Sequence, residues 1–179
     1  MKIKRLFIFV AIFLAAVVSS QAQNAPDQTK DLDSLYAQKL LKPGTVAPDF
    51  ILPMMNNYKV QLSEFKGKYV RLDVWATWCP DCRKDIPAVK ELYEKYGSKV
   101  EFIGVSFDVD HNRWTKYVVD NGMKWRQVSE LKKMRDAEIS KAYGVEWIPS
   151  MTLIGPDGKV VLSTVVLERM AKALADIAK

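Results

Sequence analysis

Cys79 and Cys82 stand two residues apart in Trp75-Ala76-Thr77-Trp78-Cys79-Pro80-Asp81-Cys82, where an apolar, β-forming run gives way to a helical pattern, and the chain has no other cysteine. A strand that feeds straight into a helix is one unit of an alternating strand–helix pattern. The spacing sets both sulfurs across one turn at a helix mouth, where the dipole favours the thiolate of the first. A dithiol that cycles with its disulfide is the leading reading. A structural disulfide is the weaker one, because so short a loop removes little chain entropy. Half a zinc site needs a second Cys or His pair, and the single histidine, His111, stands alone. Arg83 follows Cys82 in place of a histidine, which removes covalent haem attachment of the Cys-x-x-Cys-His type.

Alternation continues along the chain. Ala47-Pro48-Asp49-Phe50 opens an extended stretch, and Val60 with Leu62 closes a hairpin over Asn56-Asn57. Lys68 to Trp75 reads as a buried strand, and Pro80 to Tyr96 as the first long helix, with proline in its first turn and Gly97 past its end. Pro87 lies inside that helix, where it removes a backbone bond and predicts a bend. Val100 to Phe107 reads as a strand and Asp108 to Asn121 as a helix stopped by Gly122. A further helix spans Ala137 to Tyr143 between Asp136 as N-cap and Gly144 as stop. Met151 to Ile154 and Lys159 to Leu162 form a hairpin over Gly155-Pro156-Asp157-Gly158, and Leu167 to Ala178 is a closing amphipathic helix. The class is α/β, a sheet covered by helices.

Lys2, Lys4 and Arg5 precede an apolar run of about 13 residues, Leu6 to Val18, short of the roughly 20 needed to span a membrane. Ser20 and Ala22 supply a small-x-small site, so residues 1–22 read as a signal peptide cleaved after Ala22, with an uncleaved N-terminal anchor as the alternative. Residues 23–42 read as a polar tether or a short docking helix, and 43–179 as one domain. Removing the signal lowers the formal net charge of +6 by three, and no basic cluster interleaves with aromatics, so nucleic acid is a poor partner. Export places the dithiol in a periplasmic or otherwise extracytoplasmic compartment, where disulfides persist.

In thiol–disulfide exchange Cys79, at the helix mouth and expected to be exposed, takes the role of nucleophile, and Cys82 that of resolving thiol. Asp73 sits in an apolar run at alternate spacing with Trp75, where burial would raise its pKa and suit it to accept the Cys82 proton. The alternative is a strand-end acid that reaches water or an arginine. Asp85, three residues past Cys82, is a second candidate acceptor, or else a solvated first-turn acid. Whether Ile148-Pro149 is cis does not follow from the residues.

These residues resemble the thioredoxin superfamily, and within it the TlpA/ResA-like exported thiol–disulfide oxidoreductases. The resemblance runs over Ala47-Pro48-Asp49-Phe50, Leu62-Ser63-Glu64-Phe65-Lys66-Gly67-Lys68, Trp75 to Arg83, Pro87, Tyr143-Gly144-Val145, Ile148-Pro149-Ser150 and Gly155-Pro156-Asp157-Gly158. It implies a thioredoxin-like fold: a central mixed sheet flanked by helices, with an extra N-terminal hairpin and an inserted strand-helix unit. It also implies a cis Pro149 facing the dithiol, with Trp78, Pro80, Ile148 and Pro149 touching substrate. Asp73 matches the buried acid of thioredoxin, and Asp85 a helix acid, usually glutamate, of the ResA-like branch.

The function implied is reduction of disulfides in exported proteins, apocytochrome c among them, by a monomer that needs no bound cofactor and draws electrons from a membrane thiol donor. An oxidant or isomerase in the same compartment is the alternative, since the Pro80-Asp81 spacer does not set the direction of electron flow. Copper handling is a second alternative, weakened by the two-residue spacer and by the placement of His111 in the inserted segment. Peroxidase activity is a third, but Ala76 stands where peroxiredoxins carry a threonine.

Overall fold

A computed structural model describes residues 29–179; the expected signal peptide, residues 1–22, lies outside them. The elements are α1 (Thr29–Tyr36), β1 (Ile51–Pro53), β2 (Lys59–Gln61), a 3-10 turn (Leu62–Phe65), β3 (Tyr69–Trp75), α2 (Pro80–Tyr96), β4 (Val100–Ser106), α3 (His111–Asp120), β5 (Arg126–Ser129), α4 (Glu138–Tyr143), β6 (Ser150–Ile154), β7 (Val160–Thr164) and α5 (Leu167–Ile177). Among the described residues no helix is long and apolar enough to cross a membrane.

β1 and β2 form the separate hairpin, with Asn57 at φ +65° in its turn. The other strands make one mixed sheet in the order β5-β4-β3-β6-β7. β3, β4 and β5 run parallel, and β6 and β7 are antiparallel to their neighbours. Every residue from Val70 to Trp75 is buried, as a central strand covered on both faces requires. The crossovers β3-α2-β4 and β4-α3-β5 step the same way across the sheet, so one handedness puts α2 and α3 on the same face. Tyr117 of α3 accordingly meets Trp75, with ring centroids 5.9 Å apart, and Lys90 of α2 donates to the Asn121 carbonyl at 3.1 Å.

Three local readings change. Asp108 does not start a helix: α3 begins at His111 with Asp110 as its N-cap, and Asp108 is buried. The strand β5 is absent from the sequence reading, because four residues with Arg126 exposed and Gln127 buried carry no apolar alternation. Gln127 instead accepts the Trp75 indole N–H at 3.0 Å. Asp136 does not cap α4; the Glu130 carboxylate receives the N–H groups of Glu138 and Ile139 from eight and nine residues upstream. α2 runs on through Pro87 as one helix.

α1 is docked. Ala37 and Leu40, which precede the domain start read at Pro43, are buried in the core. The Asp33 carboxylate accepts from the Thr164 hydroxyl and the Val165 N–H and pairs with Arg169. Tyr36 stacks on Trp147 at 4.3 Å. The Lys39 carbonyl passes so close to Gly144 that a β-carbon there would lie 1.9 Å from it.

Candidate active site

β3 ends at Trp75 and α2 begins at Pro80, so the intervening turn presents Cys79 at the helix mouth, in the N-cap position. Its backbone is extended, at φ −87° and ψ 112°, and its Sγ receives the Cys82 N–H at 3.1 Å. Pro80 fits the first helical position, where a missing N–H leaves no bond unmade. The two sulfurs are joined as a disulfide across Cα atoms 5.3 Å apart. When that bond opens, the same N–H and the helix dipole stabilise a thiolate on Cys79.

The loop before β6 forms the facing wall. The Ile148–Pro149 bond is cis, and the Ile148 carbonyl oxygen lies 3.7 Å from Cys79 Sγ. Cys79 is only 4 % exposed, contrary to the exposed nucleophile read from the sequence. The cause is this seam: the sulfur sits between the α2 start and the buried Ile148–Pro149 segment, while Trp78 is half exposed and Pro80 is exposed.

Behind the disulfide, Arg71, Asp73 and Trp75 point from alternate positions of β3 toward α2 and line a small void with Cys82, Asp85 and Pro149. Burial pushes the Asp73 carboxyl above the ordinary carboxylate range, and the Arg71 charge pulls against it. Arg71 Nη2 lies 3.4 Å from Asp73 Oδ1. Asp85 is half-buried, and burial together with the negative charges of Asp73, Glu168 and Asp81 raises it to about 6. Both acids named from the sequence thus lie at the inner cysteine.

The turn itself is held by a residue the sequence reading did not single out. Asp108 Oδ2 accepts the Thr77 N–H at 2.9 Å, and Oδ1 accepts the Thr77 hydroxyl at 2.6 Å. Asp108 also takes the Ser106 hydroxyl at 2.7 Å and returns its own N–H to that oxygen at 3.0 Å. The latch joins the end of β4 to the Thr77-Trp78-Cys79 turn, a pairing across 31 residues that no local pattern marks. Arg71 was also missed, although its alternation with Asp73 and Trp75 was there to be read. His111 belongs to neither group: its Nε2 meets the Met55 carbonyl at 3.0 Å and its ring packs edge-on to Trp114.

Residues 42–177 match the family model described as Redoxin. The chain belongs to the Redoxin family. The redoxin is 35% identical over 125 residues to the thiol-disulfide oxidoreductase ResA of Bacillus thuringiensis subsp. konkukian, covering 69% of this chain and 70% of that one. To the protein of the same name from Oceanobacillus iheyensis it is 31% identical over 185 residues, covering 96% and 89% of the two chains. Among solved structures, it is similar to the thioredoxin domain of a thiol-disulfide oxidoreductase from Bacteroides vulgatus, with a TM-score of 0.70 and 28% identity, covering 78% of this chain and 99% of that one. A thiol-disulfide oxidoreductase from Bacteroides fragilis gives 0.69 and 26%, with 74% and 99% covered. The fold is thioredoxin-like, and the redoxin is a thiol–disulfide oxidoreductase with protein substrates and a Cys79–Cys82 pair.

Proposed function

We propose that the redoxin reduces disulfides of exported proteins in an extracytoplasmic compartment, after cleavage of residues 1–22 from the chain that carries the domain at 43–179. The observation that carries this reading is the seam: a disulfide at a helix mouth, its outer sulfur against the backbone of a cis-proline loop. A substrate strand laid along Ile148 and Pro149, and flanked by Trp78 and Pro80, brings its own disulfide to Cys79.

In the reduced enzyme the Cys79 thiolate attacks one substrate sulfur. A mixed disulfide forms, and the other substrate sulfur leaves as a thiolate that takes a proton from solvent. Cys82 then loses its proton to a nearby carboxylate and attacks Cys79 Sγ. The Cys79–Cys82 bond forms, the bond to substrate breaks, and the second substrate sulfur leaves reduced. Two electrons pass from the dithiol to the substrate disulfide. A membrane thiol donor restores the dithiol, no bound cofactor takes part, and the protein acts as a monomer. Apocytochrome c, held reduced for haem attachment, is the substrate class proposed.

The test is a Cys82→Ala variant expressed in its native compartment, which should accumulate mixed disulfides on Cys79 with exported proteins. The equilibrium potential of the couple against glutathione sets the direction: a value at the reducing end, near −270 mV on the scale of such proteins, supports a reductase, and one near −120 mV would reverse it to an oxidant.

A further inference from the structure

Arg71 poses a problem that the mechanism above leaves untouched. Its side chain is wholly buried beside the disulfide, and Nε, Nη1 and Nη2 have no hydrogen-bond partner among the described residues. A guanidinium keeps its charge throughout the working range of proteins, and burying one costs several kcal/mol unless it is compensated. Phe102 covers it, with Cζ 5.2 Å from the ring centroid, and the carboxylate within ion-pair distance is that of Asp73.

The other charges facing this chamber are few. From β3 come Arg71 and Asp73, and from α2 come the Cys82 sulfur and the half-buried Asp85; Glu168 on α5 and Asp81 and Lys84 on α2 act on Asp85 from the groove side. Arg71 is the buried cation of this chamber, and the groups facing it that can carry the matching negative charge are the Asp73 carboxyl and the Cys82 sulfur.

We propose that Arg71 is a positioning residue whose charge balances whichever of Asp73 and Cys82 is ionised, so that the Cys82 proton passes to Asp73 with no change in net charge. The inference rests on the proposed reaction and takes Asp73 as the carboxylate that accepts the Cys82 proton. The balance is simple: Cys82 S–H breaks, Asp73 O–H forms, the thiolate takes over the guanidinium's field, and attack on Cys79 Sγ expels the substrate thiolate. Without the cation, nothing offsets the burial that raises Asp73, and it stays protonated to higher pH.

The experiment uses the full chain, reduced, with excess dithiobisnitrobenzoate in a stopped-flow instrument. Thionitrobenzoate appears first as the reagent reacts with Cys79, at a rate set by reagent concentration, and again as Cys82 resolves the adduct, at a rate independent of it. Arg71→Met should slow the second phase at neutral pH by about tenfold or more, the equivalent of one pK unit, and move its pH midpoint to the alkaline side. The first phase should not change, and Arg71→Lys should restore most of the second.

A folded Arg71→Met enzyme with the wild-type midpoint overturns the proposal, as does a lysine variant no better than methionine, or equal slowing of both phases. Should Arg71→Met fail to fold, Arg71→Met/Asp73→Asn decides. With the acceptor already gone, loss of the cation should add nothing to the effect of Asp73→Asn alone, and an added effect overturns the proposal. Failure of the wild type to reduce any protein disulfide would sink the reductase reading and leave this measurement valid, because it uses only the small reagent.

Discussion

Asp108→Ala removes the carboxylate that receives the Thr77 N–H, the Thr77 hydroxyl and the Ser106 hydroxyl. Thr77 and Asp108 are each 3 % exposed and Ser106 is 1 %, so water does not replace what is lost. The hydroxyls can rotate toward other acceptors, but the Thr77 amide cannot. A hydrogen bond to a charged group contributes about 1.5–3 kcal/mol, and an orphaned buried donor costs about 1–3 kcal/mol, so the loss should be about 3–5 kcal/mol. For a domain of this size that is a fall in Tm of about 6–20 °C. Asp108→Asn keeps one acceptor oxygen for the Thr77 N–H and should lose about 1–2 kcal/mol. Thermal and urea unfolding of the oxidised protein, followed by circular dichroism, checks the order. Hydrogen exchange should show protection lost first at Thr77, Trp78 and Cys79. An alanine variant within about 1 kcal/mol of wild type, or an asparagine variant as damaged as alanine, would refute the latch.

Two further outcomes follow from the same geometry. Asp85 is raised in the folded protein to about 6 from 3.8, so ionising it opposes folding: the cost is absent below the lower value, grows as pH rises through about 6, and is complete above. Asp85→Asn should therefore match the wild-type urea midpoint at about pH 4 and exceed it at about pH 8 in the oxidised protein, and a lower midpoint at the higher pH would contradict this. Gly144 has φ +68°, and an added β-carbon would meet the Lys39 carbonyl at 1.9 Å. Gly144→Ala should pay about 1–2 kcal/mol for the left-handed conformation and also displace the chain after α1, so trypsin should cut after Lys39 in the variant well before it cuts the wild type. Equal resistance would show that the contact is not made.

Most of the strands and helices were legible because each carries a local signal. The proline that opens α2, the turn at Gly155 to Gly158, and the stop at Gly144 are backbone requirements written as single residues. β5 and the cap of α4 were not legible, because Gln127 acts through a partner 52 residues away and Glu130 caps a helix from eight residues upstream, beyond the reach of a local capping pattern. The site divides in the same way. Cys79, Cys82, Asp73 and Asp85 announce themselves by spacing or by charge in an apolar run. Asp108 does not, since an acid after a strand reads as a helix start until its partner at Thr77 is seen.

The sequence alone determined the chemistry on offer: two sulfurs across one helical turn, an acid where an acid is expensive, and an alternation that admits an α/β sheet. Those are properties of neighbours, and neighbours are what a sequence states. Tertiary structure decided how the chemistry is controlled. It buried Cys79 against Ile148 and Pro149, turned Arg71 inward to face Asp73, and hung the reactive turn on Asp108. Burial and long-range pairing depend on which strands lie side by side, and only the assembled sheet supplies that.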